Sequence, residues 1–264
     1  MGLLIPLLGL RDALLAAPLF IGLERALPKE RGQKLLRPDW VNDAAYLIFN
    51  RWFISFGTAL LLLPVLAYPL VPASVRAAVG AQNEWLQVFE IVVLADFFFY
   101  IAHRAFHTVP WLWRFHAIHH SIEHMDWLAG SRVHPIDQIL TKGGSFVPCI
   151  VLGFSNEALA TYATLYFLHS VLLHSNVRIS LGPLRWLIAA PQFHHWHHSR
   201  EPEAWNKNFA GQIALFDVLF GTAYMPSGQW TKAYGIDDPV PHTYVNQLAY
   251  PFRSERNRLE IPAE

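Results

Sequence analysis

Uncharged stretches alternate along this chain with short basic or histidine-rich ones. Trp52 to Val75 carries no charged residue, more than the roughly 20 apolar residues a helical membrane crossing needs. Trp85 to Ala102 is a second such stretch, apolar apart from Glu90 and Asp96. Between Gly143 and Leu173 the only charged residue is Glu157, and Gly153-Phe154-Ser155-Asn156 reads as a turn. Each arm of that hairpin is marginal for a full crossing. It either spans or re-enters, and both options return the chain to its starting side. Residues 1–23 form a further apolar element with no basic leader and with Arg11-Asp12 inside it. That pattern predicts a retained hydrophobic segment rather than a cleaved signal, with crossing and interfacial placement both open. The pattern as a whole predicts an all-α, multi-pass transmembrane protein with about four hydrophobic segments.

Composition agrees. Hydrophobic residues make up 53% and charged residues 15% of the 264, against about 25% charged in ordinary soluble domains. Mean hydropathy is +0.24. Lys plus Arg equals Asp plus Glu at 20 each, so there is no electrostatic footprint for nucleic acid. Cys149 is the only cysteine, which excludes an internal disulfide and any thiolate-rich metal site. The length fits one unit over 1–264, with 223–264 as a polar, Pro-rich, irregular tail. Arg25, Lys29, Arg31, Lys34 and Arg37 crowd the loop 24–40, whereas 72–84 holds only Arg76. The positive-inside rule places 24–40 in the cytoplasm. Following the segments from there brings His103, His174 and everything after 175 to the cytoplasmic side, as a helical cap. Trp111, Trp113, Trp127, Trp186 and Trp196 flank the segments and suit either an interfacial belt or core packing.

The candidate chemistry lies in the histidines. Six of fourteen fall between 103 and 124 and four more between 194 and 198. His103 and His107 are four apart; His116, His119 and His120 form a second group; His194, His197 and His198 form a third. Helical residues three or four apart share a face, so eight imidazoles are expected to converge from three helices. Imidazole suits iron, zinc, copper and nickel. Tetrahedral zinc takes four ligands, so eight exceed one ion and favour a dinuclear site. His124, His195 and His242 lack such spacing, and His169 faces away from His174.

These boxes, His-x3-His, His-x2-His-His and His-x2-His-His, separated by hydrophobic spans, resemble the sterol desaturase/fatty acid hydroxylase superfamily from about Asp96 to Thr222. The resemblance implies a membrane-bound non-haem di-iron enzyme (Fe2+/Fe3+, with zinc as a substitute) that hydroxylates or desaturates a lipid with O2. The eight box histidines would be ligands. By the same resemblance, His134, in His134-Pro135, and His174 bring the set to ten. Nothing in the chain resembles a flavin, haem or iron–sulfur module, so electrons would come from a separate ferredoxin- or cytochrome b5-type donor. The membrane would be the inner membrane in a bacterium or the endoplasmic reticulum in a eukaryote. Asn208 and Asp217 resemble the family's closing motif, although Phe209 and Phe216 stand where Tyr and Trp are common.

Spacing adds a further candidate. Asp96, Tyr100, His103 and His107 line one helix face, and a carboxylate inside an apolar span is costly and by default functional. Asp96 is placed to accept the free ring N–H of a ligating histidine. Paired Glu-x-x-His motifs and His-Glu-x-x-His are both missing, which sets aside carboxylate-type di-iron and zincin chemistry. Two alternatives remain: a di-zinc lipid hydrolase working through bound hydroxide, and a metal transporter or store without redox catalysis.

Overall fold

The structure is a computed structural model that describes residues 10–67 and 70–253. The chain runs through α1 (Leu10–Ala26), α2 (Trp40–Ala67), α3 (Ala73–Gly80), α4 (Glu84–Thr108) and α5 (Pro110–His120). Then come α6 (Pro135–Gln138), a π-helical turn (Ile139–Gly143), α7 (Gly144–Leu152), α8 (Asn156–His174), α9 (Pro191–His197), α10 (Leu215–Leu219) and α11 (Tyr244–Ala249). No strand occurs among the described residues; two isolated bridges pair Pro28 with Val177 and Ser199 with Tyr234.

Two helices are long and apolar enough to cross a bilayer, over Trp40–Pro64 and Glu84–Thr108. Only 28% and 33% of their apolar windows are buried, which is the reverse of a soluble core helix. Trp52, Phe53, Phe56, Leu60 and Leu63 on α2, with Trp85 and Phe89 on α4, stand exposed. An apolar surface that continuous needs lipid or a partner.

The first candidate span, within α2, differs from the expected 52–75. The α-helix starts at Trp40, because its polar residues turn inward and find partners. Asp43 pairs with Arg37 at 2.6 Å and with Arg132 at 2.5 Å, and Asn50 Nδ2 donates to the Val133 carbonyl at 2.6 Å. The helix ends at Ala67, and Pro72 then sits at the N-cap of α3. The second candidate span, α4, runs past the expected Ala102 to Thr108, so His103 and His107 ride its last turns.

The hairpin forms as expected. Ser155 caps α8 by accepting from the Ala158 N–H. Gly153, at φ 87°, closes α7 with its Cα against Arg76, where a Cβ would come within 2.8 Å of that side chain. At nine residues, α7 is about 14 Å long, well short of a bilayer core.

α4 is the central helix, packed against α5, α7 and α8. Its first half joins Leu62, Cys149, Ile150, Leu159 and Tyr162 in one apolar core. Its far end, at Tyr100, joins Phe193, Trp196, Phe209 and Met225 in another. Trp196 is therefore core, not belt, whereas Trp111 is exposed. Glu24 pins α1 by accepting from the backbone N–H of Trp127 and of Asn176.

The tail is more ordered than its composition suggests, through Arg253. Tyr244 packs edge-on against Tyr46 at 4.8 Å, and buried Gln247 accepts from Asn42. Residues 1–9 and 254–264, which belong to the expected first and last segments, lie outside the described residues.

Candidate metal centre

Nine histidines from α4, α5, α8 and α9, with His198 just beyond α9, gather into two adjacent groups. His103, His107, His116, His120 and His197 form one; His119, His174, His194 and His198 form the other. Within each group one ring nitrogen per residue lies within 4.8 Å of the rest. The spacing rule brings each sequence box to one face; His103 and His107 stay in one group, but the faces of the second and third boxes straddle both. His119 parts from His116 and His120, and His197 parts from His194 and His198. The two groups touch through the rings of His120 and His198, whose centroids are 4.4 Å apart.

The outer ring nitrogens explain how these rings are aimed. His103 Nδ1 lies 2.6 Å from the Phe209 carbonyl, His197 Nδ1 2.8 Å from that of Lys207, His119 Nδ1 2.9 Å from that of Arg132, and His174 Nδ1 2.7 Å from that of Ser170. A carbonyl oxygen only accepts, so each Nδ1 carries the proton and each neutral ring turns a bare Nε2 lone pair inward. His119 and His174 thereby face each other Nε2 to Nε2 at 3.2 Å with no proton to share. His107 Nε2, His120 Nε2 and His197 Nε2 are buried with no partner at all.

Protonation does not relieve this. Burial holds His116, His119, His120, His194 and His198 well below their ordinary value, and His197 at about 4. Clustered lone pairs in a buried pocket call for a cation. The donor set therefore fits metal, and it fits two ions better than one.

His134 lies outside both groups. Its Nδ1 accepts from the Ile136 N–H at the start of α6, and its Nε2 lies 3.2 Å from the Leu248 carbonyl. Both ring nitrogens are taken. His169 is also held, at the Ala189 carbonyl, and His195 lies between Tyr234 Oη and the Ser175 carbonyl. His124 and His242 belong to neither group.

The three candidate supporting residues act one step further back than expected. Asp96 meets no histidine; its carboxylate accepts from the N–H groups of Gly211, Gln212 and Ile213. Asp217 accepts from Phe209 N–H, Ala210 N–H and the Thr222 hydroxyl. Asn208, at φ 60°, where Asn is tolerated, donates to the Phe193 and Tyr224 carbonyls and accepts from the Tyr224 N–H. All three knit the loop that presents the Lys207 and Phe209 carbonyls to His197 and His103.

The carboxylate that does meet a ligand-type ring is Asp137, whose Oδ2 lies 2.7 Å from His116 Nδ1. Sequence reasoning passed it over because it lies outside every box. Its place two residues after His134-Pro135, in the first turn of a helix that Pro opens, was the available signal. Beneath the second group, buried Arg37, Asp43, Asp126 and Arg132 form an ion network that fixes the Arg132 backbone. Gly130 passes so close to His174 that a Cβ would lie 2.8 Å from its Nδ1.

The molecule thus has the apolar helices of a membrane protein and two buried, adjacent imidazole groups at the end of one of them. Residues 88–222 match the fatty acid hydroxylase family, and the chain belongs to that family, within the fatty acid hydroxylase/sterol desaturase superfamily.

Among relatives, it is 28% identical over 247 residues to ornithine lipid hydroxylase OlsE of Rhizobium tropici, covering 90% of this chain and 73% of that one. Human alkylglycerol monooxygenase is 30% identical over 145 residues, covering 55% of this chain and 32% of that one. The rice very-long-chain aldehyde decarbonylase GL1-11 is 31% identical over 139 residues, 52% of each. The chain thus spans about a third and about half of the length of the last two. No solved structure matches. These relatives support a lipid-modifying oxidoreductase.

Proposed function

We propose that this protein is a di-iron lipid oxygenase that hydroxylates or desaturates an apolar substrate held beside its two histidine groups. His103, His107, His116, His120 and His197 would hold one iron, and His119, His174, His194 and His198 the other. The carrying observation is the His119–His174 pair, whose lone pairs face each other at 3.2 Å because both outer nitrogens are committed to carbonyls. Bound iron would supply O2 activation, with electrons from a separate ferredoxin- or cytochrome b5-type donor.

The remaining work falls to the protein. Backbone carbonyls and Asp137 keep the rings in the ligating tautomer and orientation. His134, by capping α6, holds the turn that carries Asp137. The two apolar cores exclude water from the groups. A cavity of about 460 Å³ between α1, α2 and α8 reaches Gly130 and Ser170, which touch and hold His174. It would place an alkyl chain against the second group.

In this reading α2 and α4 cross the membrane, α1 and the α7–α8 hairpin complete the embedded part, and the basic loop 24–40 sets the histidine groups at the cytoplasmic face. A di-zinc hydrolase would use the same imidazoles without redox chemistry. The separating experiment is lipid-dependent O2 uptake by iron-loaded and zinc-loaded protein with a reductant. Uptake and an oxidised lipid product with iron, and neither with zinc, are expected. Ester hydrolysis by the zinc form without O2 would overturn the proposal. His119→Ala should abolish uptake while the protein still inserts.

A further inference from the structure

The cavity beside the second group is apolar along α7 and α8, at Phe146, Ala163 and Phe167, yet its polar lining is one-sided. Among the described residues it carries two cations, Arg51 and Lys142, and no carboxylate. Lys142, on the π-helical turn, has no hydrogen-bonded acceptor among the described residues; its ammonium stands 5.6 Å from the Tyr166 ring. Burial brings it down to about 8, against the opposing field of Asp137. The carboxylate whose field reaches it is Asp137 on α6, which makes no hydrogen bond to it and is engaged by His116 and Thr141. Thr58, across from that turn on α2 and 7% exposed, lines the same cavity, and its buried hydroxyl has no partner. A Cβ at Gly143, next to Lys142, would lie 3.1 Å from that hydroxyl.

A charged donor and a hydroxyl, neither with a hydrogen-bond acceptor, at one level of the cavity are costly unless a ligand supplies that acceptor. We infer that Lys142 and Thr58 seat an anionic acceptor group, a carboxylate or phosphate, at the polar end of the lipid substrate. The alkyl chain would then run toward Phe146 and Leu62. Because the same cavity reaches the His174 side of the metal centre, the carbon presented there lies near the anionic end rather than at the chain terminus.

This inference rests on the lipid-oxygenase reading, but binding tests it without turnover. The probes are a fluorescent sixteen-carbon carboxylic acid, the matching alkyl phosphate and the matching methyl ester. Each is titrated anaerobically into the metal-loaded protein in neutral detergent. The acid or the phosphate should bind about 10-fold tighter than the ester, the size of one charge-assisted hydrogen bond. Which of the two wins identifies the source of the anion.

Lys142→Met should erase the preference at unchanged metal content, Lys142→Arg should keep it, and Thr58→Val should reduce it. Equal affinity of all three probes for the wild type, or a full preference surviving in Lys142→Met, would overturn the inference. If Lys142→Met does not fold, the wild-type preference and its reduction in Thr58→Val decide. Binding of the ester alone sinks the anion seat and leaves the lipid-oxygenase reading standing, whereas binding of no probe sinks both.

Discussion

At the scale of single residues, the imidazoles are governed by what lies behind them. Gly130 gives the sharpest test, since any side chain there collides with His174 while the first group is untouched. Gly130→Ala should lower bound iron from two per chain toward one, measured by metal analysis of purified protein. Unchanged stoichiometry would show that His174 yields without loss of metal.

Titration offers another test. The metal-free fold keeps His197 neutral down to about 4, whereas the unfolded chain protonates near 6.5. Between those values the unfolded state holds more protons, so stability rises with pH and is lost as pH falls. The melting temperature of metal-free protein should therefore drop steadily from pH 6.5 toward 4, and a flat profile would contradict the buried neutral rings.

Much of this scale was legible in the chain. Positions three and four apart marked every box histidine that the structure gathers, because helical geometry is local. The split of the second and third boxes between two groups was not, since it depends on how α4, α5 and α9 meet. Nor were the outer partners of His103, His119, His174 and His197, which are backbone carbonyls and carry no residue signature.

Elements supply the rigidity. α2 enters the structure at Trp40 because Asp43, in its first turn, neutralises Arg37 and Arg132 out of contact with water. Removing one member of a buried ion network typically costs about 3–5 kcal/mol. Asp43→Asn should destabilise the protein by that order in detergent melts. It should also weaken the second metal group more than the first, because Arg132 carries the carbonyl behind His119. Equal loss at both groups would mean that the network supports the fold generally.

The expected start at Trp52 failed for a related reason. Polar residues that look like the end of an apolar stretch continue a helix when each has a buried partner from far along the chain. Asp96 shows the converse. A buried carboxylate among apolar residues needs partners, and three backbone N–H groups of the 211–213 loop, not a histidine, supply them.

Over the whole molecule, apolar exposure on α1, α2 and α4 and the burial of the histidine groups belong to one arrangement. Leu14, Leu15 and Leu19 extend the exposed apolar surface onto α1. Washing membranes with high salt or alkaline carbonate should leave the protein in the pellet, because burial in hydrocarbon is insensitive to screening. Release into the supernatant would refute the spans. The number and side of the crossings had no comparably local signature, since marginal arms such as α7 are decided by what packs against them.

The most direct test of the central claim is the metal count of the iron-reconstituted protein, read together with its Mössbauer spectrum. Two nitrogen-ligated irons per chain in magnetically coupled sites are predicted. A single iron, or none after reconstitution that leaves the fold intact, would contradict the two-centre account.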